Sequence, residues 1–171
     1  MYYGKRTLVL ACVLTILSGV LLHFLYDRMP NAVTALFSPV SESIWEHTKL
    51  IYWPYLAAAA LLNRGRPGGI YPWLLTLPLM CGMMLGMGYV YHVVLEGTEL
   101  QVDIAIYVLV MVVGFCLPPR RSEPVTGVKR VIAPALTVAL GVLIGVFTLW
   151  PPECILFEEL EAIRTWFRIP C

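Results

Sequence analysis

Charge is the scarcest commodity in this chain. Only 13% of its 171 residues are Asp, Glu, Lys or Arg, against 59% apolar ones, and the mean hydropathy is +0.77. Soluble globular domains carry about 25% charged and about 45–50% apolar residues. That scarcity excludes a free-standing soluble domain and points to an integral membrane protein. The chain also has no phosphate loop, no dinucleotide fingerprint and no C-x-x-C pair. It has no basic stretch interleaved with aromatics, so nucleic acid is not an expected partner. No internal repeat is visible.

What is present is a series of apolar runs. Thr7–Tyr26, Pro39–Leu62, Ile70–Leu95, Val102–Leu117 and Val131–Trp150 approach or exceed the ~20 residues that a helix needs to cross a bilayer. The spacing predicts an all-α, polytopic membrane helical bundle of five transmembrane helices, a single integral membrane domain over residues 1–171. Thr7–Tyr26 is longer than a signal-peptide core and is followed by no small-residue cleavage site, so it reads as the first span. Met29–Leu36 reads as a short interfacial connection and Asn63–Gly69 as a turn. In the tail, Pro151–Cys171, the apolar residues Leu156, Leu160, Ile163 and Phe167 recur at helical spacing, which predicts an amphipathic helix lying on the membrane.

The few charges are segregated by sign. With five spans, Lys5, Arg6, Arg64, Arg66, Arg120, Arg121, Lys129 and Arg130 fall on one side, which the positive-inside rule makes cytoplasmic. The other side collects Asp27, Glu42, Glu46, Glu96, Glu99, Asp103, Glu153, Glu158, Glu159 and Glu161. The expected topology is therefore N-in and C-out. Cys154 and Cys171 fall outside, where a disulfide between them would pin the tail. Cys12, Cys81 and Cys116 lie within spans.

The polar stretch from Phe37 to Pro54 (FSPVSESIWEHTKLIYWP) stands at the entrance to the second span. Ser38-Pro39 is one helix start; Ser43 and Glu46, at capping-box spacing, offer another four residues later. In either register Glu42 and Glu46 share a face. His23, His47 and His92 all fall near the outer side, within roughly 12 Å of the boundary at ~1.5 Å per residue. His23 and Asp27 are four apart on one helix. The expectation is that His23, Asp27, Glu46 and His47 face one another, with Asp103 closing the cluster and Glu42 beside it.

HFLYD at His23–Asp27, FSPVSESIWEHTKL at Phe37–Leu50, Trp53-Pro54 and VDI at Val102–Ile104 resemble a family of small, multi-pass bacterial membrane proteins of unknown function, found largely among Firmicutes. Its hallmark is a Phe-Ser-Pro-Val-Asn-Glu-Ser-Ile/Val-Trp-Glu-His segment, in which this chain has Ser41 in place of Asn. The resemblance implies a fold and a bacterial cytoplasmic membrane and brings no activity with it. His23, Asp27, Glu42, Glu46, His47 and Asp103 match the pattern; His92 does not, which makes it the weakest ligand candidate.

Three functional classes fit these residues. Imidazoles with carboxylates suit a divalent metal such as zinc, manganese or iron, and a catalytic zinc needs only three protein ligands. On that reading Glu46 or Asp27 is the candidate catalytic group, in a hydrolase acting on a membrane-soluble substrate. The second class is an acidic outer vestibule that binds or helps transport a cation or small solute, although the cytoplasmic half offers no buried charge to continue a path. The third is structural: a polar network that only locks the helices, or an accessory subunit. Gly82/Gly86 and Gly141/Gly145 have GxxxG spacing suited to a homo-oligomer or a larger membrane partner within the lipid bilayer. The topology has a direct test. A reporter active only outside the membrane should work when fused after Cys171 and fail when fused at Gly65; activity at Gly65 contradicts the five-span orientation.

Overall fold

The computed structural model describes residues 3–66, 68–118 and 127–160, and among these all regular structure is helical. Helix α1 spans Lys5–His23, α2 Leu25–Arg28, α3 Ala32–Phe37, α4 Lys49–Leu62, α5 Tyr71–Tyr89, α6 Leu100–Cys116 and α7 Lys129–Leu149. A 3-10 turn at Glu46–Thr48 leads into α4, and a π-helical turn at Val90–Val94 extends α5. Lys5–His23, Tyr71–Val94 and Arg130–Leu149 are long and apolar enough to cross a membrane, while Leu100–Cys116 is apolar but shorter. At 14 residues, α4 reaches about 21 Å, less than the ~30 Å of a hydrocarbon core.

Helix α4 lies at the centre, packed on α1 and α5, and α5 in turn packs on α6 and α7. Its aromatic residues explain how. Tyr52 donates to the Thr137 carbonyl (2.9 Å), Tyr55 to the Gly114 carbonyl (2.8 Å) and Trp53 to the Leu36 carbonyl (2.8 Å). Each ties α4 to a different segment, and each satisfies a polar group that would otherwise be stranded among apolar side chains. The prolines inside α4 and α5 create a second set of ties. Pro54 and Pro78 cannot bond the carbonyls four residues back. Those carbonyls, of Leu50 and Leu74, are approached by Tyr107 Oη at 3.5 Å and Thr137 Oγ1 at 3.2 Å from neighbouring helices.

Gly141 sits against the Tyr52 ring, where a Cβ would collide with the hydroxyl, so this half of one GxxxG pair is used inside the chain. Gly82 and Gly86 face open space.

Two segments depart from the sequence expectation. The run Pro39–Leu62 is not one helix: residues 38–45 are irregular, and the α-helix starts only at Lys49. Ser38 ends α3 instead of starting the next helix. Its amide bonds the Thr34 carbonyl (2.8 Å), and its hydroxyl donates to the Leu22 carbonyl (2.5 Å) and accepts from the Tyr26 amide (3.0 Å). The later register prevails, with the Glu46 amide on Ser43 Oγ at 3.3 Å. The described part of the tail, up to Leu160, is likewise not helical; it runs back over residues 42–45 and forms an isolated antiparallel bridge, Ser43 to Glu159. Pro151 and Pro152 disfavour a helix there, and Ile163, Phe167 and Cys171 lie outside the described residues. In the connection after α2, Asn31 and Thr34 form a reciprocal capping box that nucleates α3.

The junction of α3, the 38–45 loop and α4 is fixed by one buried ion pair. Lys49, fully buried, donates to Glu46 Oε2 (2.6 Å) and to the carbonyls of Ala35 (2.7 Å) and Ser38 (3.2 Å). All three ammonium protons thus have acceptors, and Glu46 Oε2 also accepts the Val40 amide at 2.8 Å. Removing one partner of such a pair strands a buried charge, which typically costs about 3–5 kcal/mol. Lys49→Met should therefore lower unfolding stability by about that much, and Glu46→Gln should also destabilise, because it leaves the buried Lys49 ammonium without its counter-charge. Denaturant unfolding in detergent checks this, and wild-type stability in Lys49→Met contradicts it.

Candidate metal centre

Three side chains from separate segments converge: His23 from the last residue of α1, Glu42 from the 38–45 loop and His47 from the 3-10 turn. One ligand atom from each lies within 4.8 Å of the other two. Glu42 Oε2 is 3.7 Å from His23 Nε2 and 3.4 Å from His47 Nε2, and the two imidazole centroids are 5.5 Å apart. Two ligands on a tetrahedral ion at about 2.0–2.1 Å stand about 3.3 Å apart, so these separations are close to what zinc requires.

Local structure explains each placement. Helix α1 ends after His23 where the Tyr26 amide bonds Ser38 Oγ instead of the Leu22 carbonyl four residues back, and the Ser38 hydroxyl donates to that carbonyl. The His47 Nδ1 proton goes to the Ser43 carbonyl at 2.7 Å, which leaves the Nε2 lone pair to face Glu42 when the ring is neutral. A ligating histidine commonly has its other nitrogen fixed in this way. Glu42 is held through its backbone, whose carbonyl accepts the Leu160 amide at 3.1 Å. His23 Nδ1 is buried and has no hydrogen-bond partner among the described residues. Glu42 is the exposed member, at 59% of its side-chain surface, against 16% for His47 and 26% for His23.

The electrostatics follow from the same contacts. The His47 hydrogen bond holds the Glu42 carboxyl below its usual range, against the opposing effect of desolvation. For His47, burial favours the neutral ring, but the Glu42 and Ser43 hydrogen bonds and the fields of Glu42 and Asp103 outweigh it and raise its pKa. Without an ion, each group thus favours the charged form of the other. A divalent cation would take the proton's place at Nε2, since the ligating form is the neutral ring.

The other residues singled out by sequence lie elsewhere. Asp27 is exposed on α2, past the interruption at Phe24. Glu46 turns away into the Lys49 pair. Asp103 meets His92, the candidate with the weakest sequence case: His92 Nε2 is 2.8 Å from Asp103 Oδ1, and its Nδ1 is 3.0 Å from the Gly97 carbonyl. Glu42 and Glu46 do not share a helix face, since only the second is in a helical turn. The part of Ser43 as partner of His47 was visible only as an i, i+4 spacing, and the tail's grip on Glu42 had no sequence signal.

No curated protein and no solved structure matches the chain. Residues 3–66, the segment that carries His23, Glu42, His47 and Lys49, match a family of unknown function, DUF6512.

Proposed function

We propose that His23, Glu42 and His47 bind one divalent metal ion at the outer face of a five-span, N-in/C-out bacterial membrane protein, a single domain over residues 1–171. The observation that carries this reading is the convergence of three ligand atoms from three separate segments within 4.8 Å. The fixed His47 tautomer supports it. Zinc, manganese and iron all accept these donor types. Three protein ligands leave a position for water, whose pKa a bound zinc lowers to about 7. The reading therefore extends to hydrolysis of a membrane-soluble substrate.

One observation favours a structural reading instead: the mutual hydrogen bonding of Glu42 and His47 is already favourable without a metal. Elemental analysis separates the two. Protein purified without chelator should carry about one metal per chain, and His47→Ala or His23→Ala should lose it, because removing one of three ligands abolishes tight binding. A metal-free wild type, with the same substitutions lowering thermal stability, contradicts the metal reading and leaves the structural one.

A further inference from the structure

Hydrolysis at the centre needs, besides the three ligands, a group that takes the proton of the attacking water. Of the carboxylates the sequence offered for that part, Glu46 is bound to Lys49 and Asp27 is exposed on α2. The packing of the helices brings another. Where α1, α4 and α6 meet, Tyr107 Oη lies 3.1 Å from the Ile16 carbonyl and 3.5 Å from the Leu50 carbonyl, and a Cβ on Gly19 would collide with it. One helical turn beyond this junction stand His23 (four residues after Gly19), His47 (three before Leu50) and Asp103 (four before Tyr107), each on the face that its helix turns to the junction. Val93, next to His92 in the π-helical turn, packs on Ile44 of the 38–45 loop, which sets His92 at the same end of the molecule.

His92 in turn holds Asp103. Its Nε2 is 2.8 Å from Asp103 Oδ1, and its Nδ1 is 3.0 Å from the Gly97 carbonyl, which fixes the ring. Asp103 has no polar partner other than His92 among the described residues, so its second oxygen is available, and its side chain is 29% exposed, so water can reach it. It touches none of the three ligands, yet its field helps to raise the pKa of His47. A carboxylate outside the ligand set but within reach of its field is placed to act on a water at the ion, not on the ion itself.

We propose that Asp103, positioned by His92, accepts the proton of a water held in the open position of the metal centre. The proposal rests on the metal reading above. In hydrolysis of an ester or amide, the water oxygen bonds to the carbonyl carbon while its proton passes to Asp103 Oδ2. The carboxylic acid then returns that proton to the leaving oxygen or nitrogen as its bond to carbon breaks, and Asp103 ends as the carboxylate it began as. His92 occupies Oδ1 throughout and acts as a positioning residue.

The test uses the full chain in detergent micelles, loaded with cobalt(II), whose visible absorption reports on its coordinated water. The pH midpoint of that absorption is measured for the wild type, for Asp103→Asn and for Glu99→Gln, which removes an exposed carboxylate at the same end of α6. A water that loses its proton gains a negative charge, which the Asp103 carboxylate opposes. Asp103→Asn should therefore lower the midpoint by about 1–3 pH units with cobalt still bound, and Glu99→Gln should leave it in place. Should Asp103→Asn fail to fold, Asp103→Ser supplies the same loss of charge. An unchanged midpoint in the Asp103 variant, an equal shift in Glu99→Gln, or no titration in the wild type overturns the role of Asp103 while the metal reading stands. Loss of cobalt from a folded Asp103→Asn makes Asp103 a ligand and overturns that role as well. A wild type that takes up no cobalt overturns the metal reading, and the proposal with it.

Discussion

The buried ammonium of Lys49 constrains everything at this end of the molecule. A charge with no exposure persists only where every proton has an acceptor, and here the acceptors come from Glu46, Ala35 and Ser38. Satisfying it draws the end of α3 and the following loop onto the first turn of α4. Glu46 is used up in that pairing, and the chain between Ser38 and Glu46 must then loop outward instead of continuing a helix. Glu42 is on that outward loop, which is why the carboxylate four residues earlier meets the histidines.

The candidate centre thus has a rigid side and an adaptable side. His23 closes α1 and His47 sits one residue before Thr48, whose hydroxyl donates to the Trp45 carbonyl at 2.7 Å, so both imidazoles belong to well-tied backbone. Glu42, by contrast, is exposed and is held mainly by the tail. Such a division suits a site where one ligand moves to admit an ion or a substrate. His92 and Asp103 form a separate pair between the π-helical turn and α6, and Asp103 reaches the centre only through its field on His47. π-helical turns often mark functional positions, and here the turn is what carries His92.

The helices were legible in the sequence to the extent that apolar runs decide them. Thr7–Tyr26, Ile70–Leu95, Val102–Leu117 and Val131–Trp150 each overlap an observed helix whose ends fall within a few residues of the expected ones, counting the π-helical turn with α5, because a long apolar run leaves the backbone little alternative to its own hydrogen bonds. The count of membrane crossings is a different matter: α4 is short, and its crossing belongs to the proposed topology. Where polar residues compete for backbone groups, the reading failed. Ser38 looked like a helix start and is a helix end, because its hydroxyl is taken by Leu22 and Tyr26, partners 16 and 12 residues away that no local pattern contains. Glu46 looked like a ligand, but it pairs with Lys49 three residues on; that spacing is local, whereas the burial of the pair against the Ala35 and Ser38 carbonyls is not. The convergence of His23 and His47 followed from counting depth along two spans, whereas the identity of the third member depended on where the loop turned.

The central claim is that two imidazoles and one carboxylate hold a metal ion, and X-ray absorption at the metal edge of the purified chain tests it most directly. The expected spectrum shows nitrogen and oxygen neighbours at about 2.0–2.1 Å with the outer-shell scattering of two imidazole rings and no sulfur. A shell dominated by sulfur at about 2.3 Å, or no bound metal to measure, contradicts it.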